Sequence, residues 1–176
     1  GTAEELSPGE QEKLTSHLLY FLAGEYRKRG MVMQLHFGTY RNVNSGMFGK
    51  IGRDAGFDIM RGRVDADRLA VFLDTLNARG DLPKTVLYSL NPTAVPAIAT
   101  LSGAFPNVRV GAAWWFNDTV EGIRQQLRTV MEYAALGTHL GMLTDSRSYA
   151  SYPRFDFFRR ILCDTVGAYV ERGEYD

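Results

Sequence analysis

The chain has 176 residues, 45% of them hydrophobic, enough to bury one core and too few to force a second domain. Lys plus Arg equals Asp plus Glu at 20 each, so no basic excess recommends a nucleic acid or an anionic membrane as partner. The lone cysteine, Cys163, excludes an internal disulfide, and no apolar run approaches the ~20 residues that span a bilayer. With a start, GTAEELSPGEQEK, that lacks the pattern of a secretory signal, a cytoplasmic protein is expected.

Ser7, Pro8 and Glu10 have the spacing of a capping box, which opens a helix running to about Lys28. Leu14, Leu18, Phe21, Leu22 and Tyr26 recur at three and four, which predicts one buried face for it. MVMQLHFG, after Gly30, is the near-continuous apolar run of a strand covered on both sides, over about 31–37. The segment 40–58, YRNVNSGMFGKIGRDAGFD, reads as an irregular glycine-rich loop, long for a simple connection and therefore a candidate active-site loop.

Asp65 can cap a second helix, with Leu69, Phe72, Leu73 and Leu76 inward, closed by Arg79, Gly80 and Pro83. A strand over 85–90 then leads through Asn91 and Pro92 straight into a helix, and a third strand is predicted over 108–114. Asp118 and Glu121 open the next helix, a fourth strand is expected over 140–144, and Ser151 and Pro153 begin the last helix. Strands alternating with helices imply parallel pairing through right-handed crossovers in a single α/β domain. Eight such units, typically ~250 residues, close a (β/α)8 barrel, so four units make either an open sheet or half of a barrel.

The ends of the four strand-like runs carry the chemistry: His36, then Asn91, then Trp114 and Trp115 with Asn117 and Asp118, the last two also readable as ordinary loop and helix-cap residues, then Thr144, Asp145, Ser146 and Arg147. Ligands bind at the carboxyl ends of parallel strands. His36 can bind a divalent metal or polarise a carbonyl, or it can be a hydrogen-bonded structural histidine. Asp145 can ligate a metal or act as a base, and Arg147 can grip a carboxylate in its fork; the plain alternative is a turn-capping Asp paired with its neighbour. Arg41, Asn42 and Asn44 follow the His36 strand and are placed to hold an anionic, hydroxylated ligand, unless they form only a solvated loop. Successive strand residues face opposite ways, so Trp114 and Trp115 cannot both point inward. No phosphate-binding glycine loop, HxH, HExxH or CxxC occurs, which disfavours nucleotides and leaves any metal site incomplete within this sequence.

MQLHFGTYRNVN, KTVLYSLNP, GAAWWFND and GMLTDSRS followed by FFRRILCD, in this order and separation, resemble the carboxyl-terminal part of the uronate (glucuronate) isomerases of the amidohydrolase superfamily, from about Met31 to Gly173. The resemblance implies the C-terminal part of a TIM (β/α)8 barrel, four parallel strand and helix units. It implies isomerisation of D-glucuronate to D-fructuronate and of D-galacturonate to D-tagaturonate. Asp145 would be a metal ligand and the base moving a proton between C2 and C1, and His36 would lie near the metal. Arg147 and Arg41 would hold substrate oxygens or the carboxylate, with Asn44 beside them, and Trp114 or Trp115 would border the sugar. A divalent metal, with zinc the expected ion, and the missing amino-terminal half or a homo-oligomer are the implied partners. A noncatalytic sugar-acid binding fragment, or a metal-dependent hydrolase of the same superfamily, are the alternatives.

Overall fold

The computed structural model describes residues 6–143, 146 and 148–175. Helix α1 (Pro8–Lys28) starts where the capping box places it: the Ser7 N–H donates to the Glu10 carboxylate at 2.9 Å and the Glu10 N–H donates back to Ser7 Oγ. Strand β1 (Met33–Phe37) follows, then the short β2 (Thr39–Tyr40), α2 (Ser45–Ile51), β3 (Ile59–Met60), α3 (Ala66–Ala78) and β4 (Thr85–Ser89). A 3-10 turn over Pro92–Ala94 leads into α4 (Val95–Ala104), followed by β5 (Val108–Val110), α5 (Val120–Tyr133) and α6 (Pro153–Glu171).

The main sheet has the order β1-β4-β5, all parallel, with His36 beside Tyr88 and Leu87 beside Val110. Each strand is added to the same side of its predecessor, and α1, α3, α4, α5 and α6 touch in chain order. One face of the sheet, carrying Met33, Leu87, Val108 and Val110, packs on helix residues Ala23, Leu73, Leu76, Val95, Ile98, Ala99 and Val130. Fully burying a leucine of this kind contributes about 1.5–3 kcal/mol. The opposite face gathers Val86, Tyr88 and Ala112 with Trp114 and Leu143, and no helix residue among those described joins them. Sequential winding with helices on one side is the geometry of a barrel wall; a doubly wound sheet would carry helices on both faces.

Several expectations need correction. Residues 140–143 form no strand, so the described residues contribute three parallel strands rather than four; Thr144 lies outside them. The chain is held locally at its start: the His139 N–H bonds the Leu136 carbonyl and the Gly141 N–H bonds the His139 ring at 3.0 Å. Gly141 also sits at φ +77°, away from extended backbone. The third strand ends at Val110 rather than 114. The loop 40–58 is not wholly irregular: Asn44 accepts the Met47 N–H and caps α2, and β2 and β3 pair antiparallel across the loop's base.

The stripe predicted to bury α1 is largely open, with Leu14, Leu18, Phe21 and Leu22 between 39 and 59% exposed. The helix instead packs through Tyr20, Ala23 and Gly24, with Tyr20 against the Phe72 ring of α3 at 5.0 Å. Helix α5 is capped by Thr119, one residue after Asp118, and the last helix starts at Pro153 with no side-chain cap.

Candidate active-site rim

The carboxyl ends of β1, β4 and β5 meet at one rim. His36 and Tyr88 are register partners on adjacent parallel strands, so their side chains leave the same face about one strand spacing, ~4.8 Å, apart. Their rings stack at 4.3 Å and 7° from parallel, and Trp114 meets the imidazole edge-on at 4.8 Å. Tyr88 is buried and burial pushes its hydroxyl pKa up, while His36 remains exposed at the rim.

Gly38 lets the chain turn sharply past β1. It sits at φ +85°, and a Cβ there would lie 3.2 Å from the Leu90 and Asn91 nitrogens, so only glycine fits without strain. Its carbonyl accepts the Arg61 N–H at 2.7 Å, which closes the base of the 40–60 strap beside the end of β1. Asn91 caps the following turn and its Nδ2 donates to the Arg61 carbonyl at 2.9 Å, so the expected cap is also a brace. After β5, the buried Asn117 donates from Nδ2 to the Leu90 carbonyl at 2.8 Å and pins the Trp114–Asn117 turn to β4.

That turn separates the two tryptophans. Trp114 joins the sheet face beside Tyr88, whereas Trp115, at φ +54°, is 38% exposed and stacks on Phe116 at 4.8 Å. The Arg41 guanidinium lies over the Trp115 ring at 5.3 Å. It is gripped by Asp58 at 2.7 Å and Asp54 at 3.3 Å, and Asp58 also accepts the Asn42 N–H at 2.8 Å. First that N–H and then Arg41 hold the Asp58 carboxyl below the usual carboxylate range.

Of the predicted site residues, His36, Arg41, Trp114 and Trp115 converge here. Asn44 stands on the same strap, with its side-chain oxygen engaged in capping α2. Asp145 and Arg147 lie outside the described residues. Two surface grooves exist elsewhere, one between α1 and Arg68, Arg79 and Asp81 and one beside His139 and α6, and neither is lined by His36, Arg41 or the tryptophans. Tyr88 and Asp58 were missed from sequence, whereas Asn117, expected at this rim or as a plain loop residue, proves to be a brace. Tyr88 becomes visible only once strand register is known, and Asp58 only once β2 is paired with β3.

Among the described residues no group of three or more His, Cys, Asp or Glu side chains could hold a metal, and no helix is long and apolar enough to cross a membrane. One exposed imidazole suits a metal ligand in kind but does not make a set.

The sequence profile of the glucuronate isomerase family matches residues 2–176. The chain is 46% identical over 171 residues to the uronate isomerase of Marinomonas sp. (strain MWYL1), covering 94% of this chain and 36% of that one. The crystal structure of uronate isomerase from Thermotoga maritima superposes with a TM-score of 0.91 at 36% identity, covering 98% of this chain and 38% of its own. Glucuronate isomerase from Caulobacter crescentus does so at 0.89 and 30%, covering 98% and 36%. The chain thus spans well under half the length of these relatives, and its fold is part of a TIM-type α/β barrel. Matched along almost its whole length in both sequence and structure, the chain belongs to the uronate (glucuronate) isomerase family.

Proposed function

We propose that this chain supplies the carboxyl-terminal part of a uronate isomerase barrel, interconverting D-glucuronate with D-fructuronate and D-galacturonate with D-tagaturonate. The observation that carries the proposal is the convergence of Arg41, Trp115 and His36 at the carboxyl rim of parallel strands. A guanidinium held over an indole can grip a sugar acid's carboxylate while the ring borders the sugar. In the open-chain aldose, a base takes the proton from C2 and returns it to C1, as the hydroxyl proton of C2 passes to the carbonyl oxygen of C1. Asp145 is the proposed base, and Arg147 the cation on the oxygens where charge develops. His36 stands where it can orient the carbonyl end.

His36 and Asp145 would hold a divalent metal, zinc in this proposal, which when bound polarises the carbonyl. The remaining ligands would come from the amino-terminal half, since His17, His36 and His139 offer no HxH pair. That half is also the proposed partner, ahead of a homo-oligomer. Support comes from the open Leu14, Leu18 and Phe21 stripe of α1 and from β1, whose outer edge no described strand pairs. The exposed free thiol of Cys163 suits the reducing cytoplasm proposed as its location.

The test is isomerase activity on glucuronate with zinc, for this chain alone and after adding the amino-terminal half. Activity that appears only with both halves, and is lost in Asp145→Asn, is the expected result. Folded halves that associate without turnover would instead leave a noncatalytic sugar-acid binding fragment, and hydrolysis in place of isomerisation would assign a different reaction.

A further inference from the structure

We propose that Asp58 is the positioning residue of this site, a carboxylate that fixes the Arg41 guanidinium over Trp115 in the orientation in which it receives the substrate. The proposal rests on the reading of Arg41 as the uronate carboxylate's partner. Tyr40 pairs with Ile59 in the antiparallel ladder, so Arg41 and Asp58 are the next opposed pair, one step beyond the last ladder residues. One oxygen of Asp58 takes the Asn42 N–H at 2.8 Å and the other takes Arg41 Nη1 at 2.7 Å. The Asp58 side chain is 6% exposed, while the second carboxylate on Arg41, that of Asp54, is 82% exposed and more distant. Asp58 is therefore the anchor and Asp54 a loose neighbour.

The only donor Arg41 commits to these carboxylates is Nη1, so the Nε and Nη2 edge is left to form a two-point grip on a carboxylate. Arginine loses much rotamer freedom when immobilised, and a clamp already in place removes that cost from substrate binding. Backbone strain gathers at the same place. The non-glycine residues with positive φ among those described are Asn42, Asp54 and Trp115, at φ 53°, 58° and 54°. Each belongs to this assembly, and Trp115 is a bulky side chain that rarely adopts that conformation. Strain of this kind persists where surrounding contacts over-determine the geometry, as at binding sites.

The test uses the complete enzyme containing this segment, with kcat and KM for glucuronate. Asp58→Asn keeps an acceptor for the Asn42 N–H and removes the charge facing Arg41; KM should rise ~10-fold with kcat changed less than ~3-fold. In an Arg41→Met background, where KM is already raised, Asp58→Asn should add nothing, because the two residues act as one unit. Asp54→Asn should raise KM less than Asp58→Asn does, because its carboxylate is more exposed and more distant from Arg41. If Arg41→Met itself leaves KM unchanged, the reading of Arg41 fails; if Arg41→Met raises KM and Asp58→Asn does not, the positioning proposal fails alone. An equal rise in KM from Asp58→Asn with and without Arg41 would also overturn it. So would loss of the fold in both Asp58→Asn and Asp58→Glu, which would make Asp58 purely structural.

Discussion

Gly111→Ala should be the most informative single methyl in this chain. Gly111 follows β5 on the sheet face that carries Tyr88, and a Cβ placed there would overlap the Tyr88 ring edge at Cδ1, Cε1 and Cζ. Neither partner can retreat. The Gly111 N–H is bonded to the Leu87 carbonyl at 2.8 Å, and its own carbonyl is held by Gln126 and the His139 ring. Tyr88 is 2% exposed and has His36 stacked against one face. Overpacking of this kind costs about 1–3 kcal/mol, and a clash with three ring atoms belongs near the top of that range. Against it stands about 0.4–1 kcal/mol from the stiffer unfolded chain, since alanine has fewer conformations to lose than glycine. The net expectation is a loss of about 2 kcal/mol, or roughly 4–8 °C in Tm for a domain of this size. Denaturant unfolding followed by the fluorescence of Trp114 and Trp115 would measure it. The double variant with Tyr88→Leu should recover most of the cost, giving a coupling of about 1 kcal/mol or more. Stability within about 0.5 kcal/mol of the parent, or the same cost in both backgrounds, would refute the reasoning.

Asn117→Ala should destabilise by about 1–3 kcal/mol, because it strips the Leu90 carbonyl of a buried donor, and should loosen the tryptophan turn. A thermal melt superimposable on the parent's would show that the brace is dispensable. His139 should make stability depend on pH. Its Nδ1 accepts the Gly141 N–H, so the neutral tautomer carries its proton on Nε2, 3.3 Å from the Gly111 carbonyl. Burial lowers its pKa below the ordinary value, with the carbonyl opposing weakly. The unfolded chain therefore binds the proton more readily, and stability, complete above about pH 6.5, should fall as pH drops from there through the lowered folded pKa. His139→Gln should flatten that dependence in denaturant titrations at several pH values; an unchanged slope would remove the histidine as its source.

Local chemistry explains what could be read from the chain. The Ser7 and Glu10 box, the Asp65 cap, and the Asn91-Pro92 start depend on residues within three or four positions of each other, and each formed as expected. The apolar runs ending at His36 and Asn91 likewise announced β1 and β4. What failed needed information from a distance. The stripe on α1 shows that a covering surface is wanted, but periodicity cannot say whether the described chain provides it. The run at 140–143 had strand-like composition, yet a strand exists only by pairing, and the Gly141 N–H bonds the nearby His139 ring instead. Helix α2 was hidden by its three glycine and serine residues and is held by the Asn44 cap. At the site, the tryptophans do part company, but through the turn at Trp115 rather than by strand alternation, while Asp58, 17 residues from Arg41, emitted no local signal.

The side-by-side placement of His36 and Tyr88 makes this rim intolerant of small changes in strand length. In an extended chain a single inserted or deleted residue reverses inside and outside, so a one-residue deletion within β4 would turn the Tyr88 ring toward the helices and leave the imidazole without its platform. The strap between β2 and β3 has no such parity to obey. Homologous chains should therefore vary in length there while keeping the spacing between the histidine and the end of its own strand unchanged.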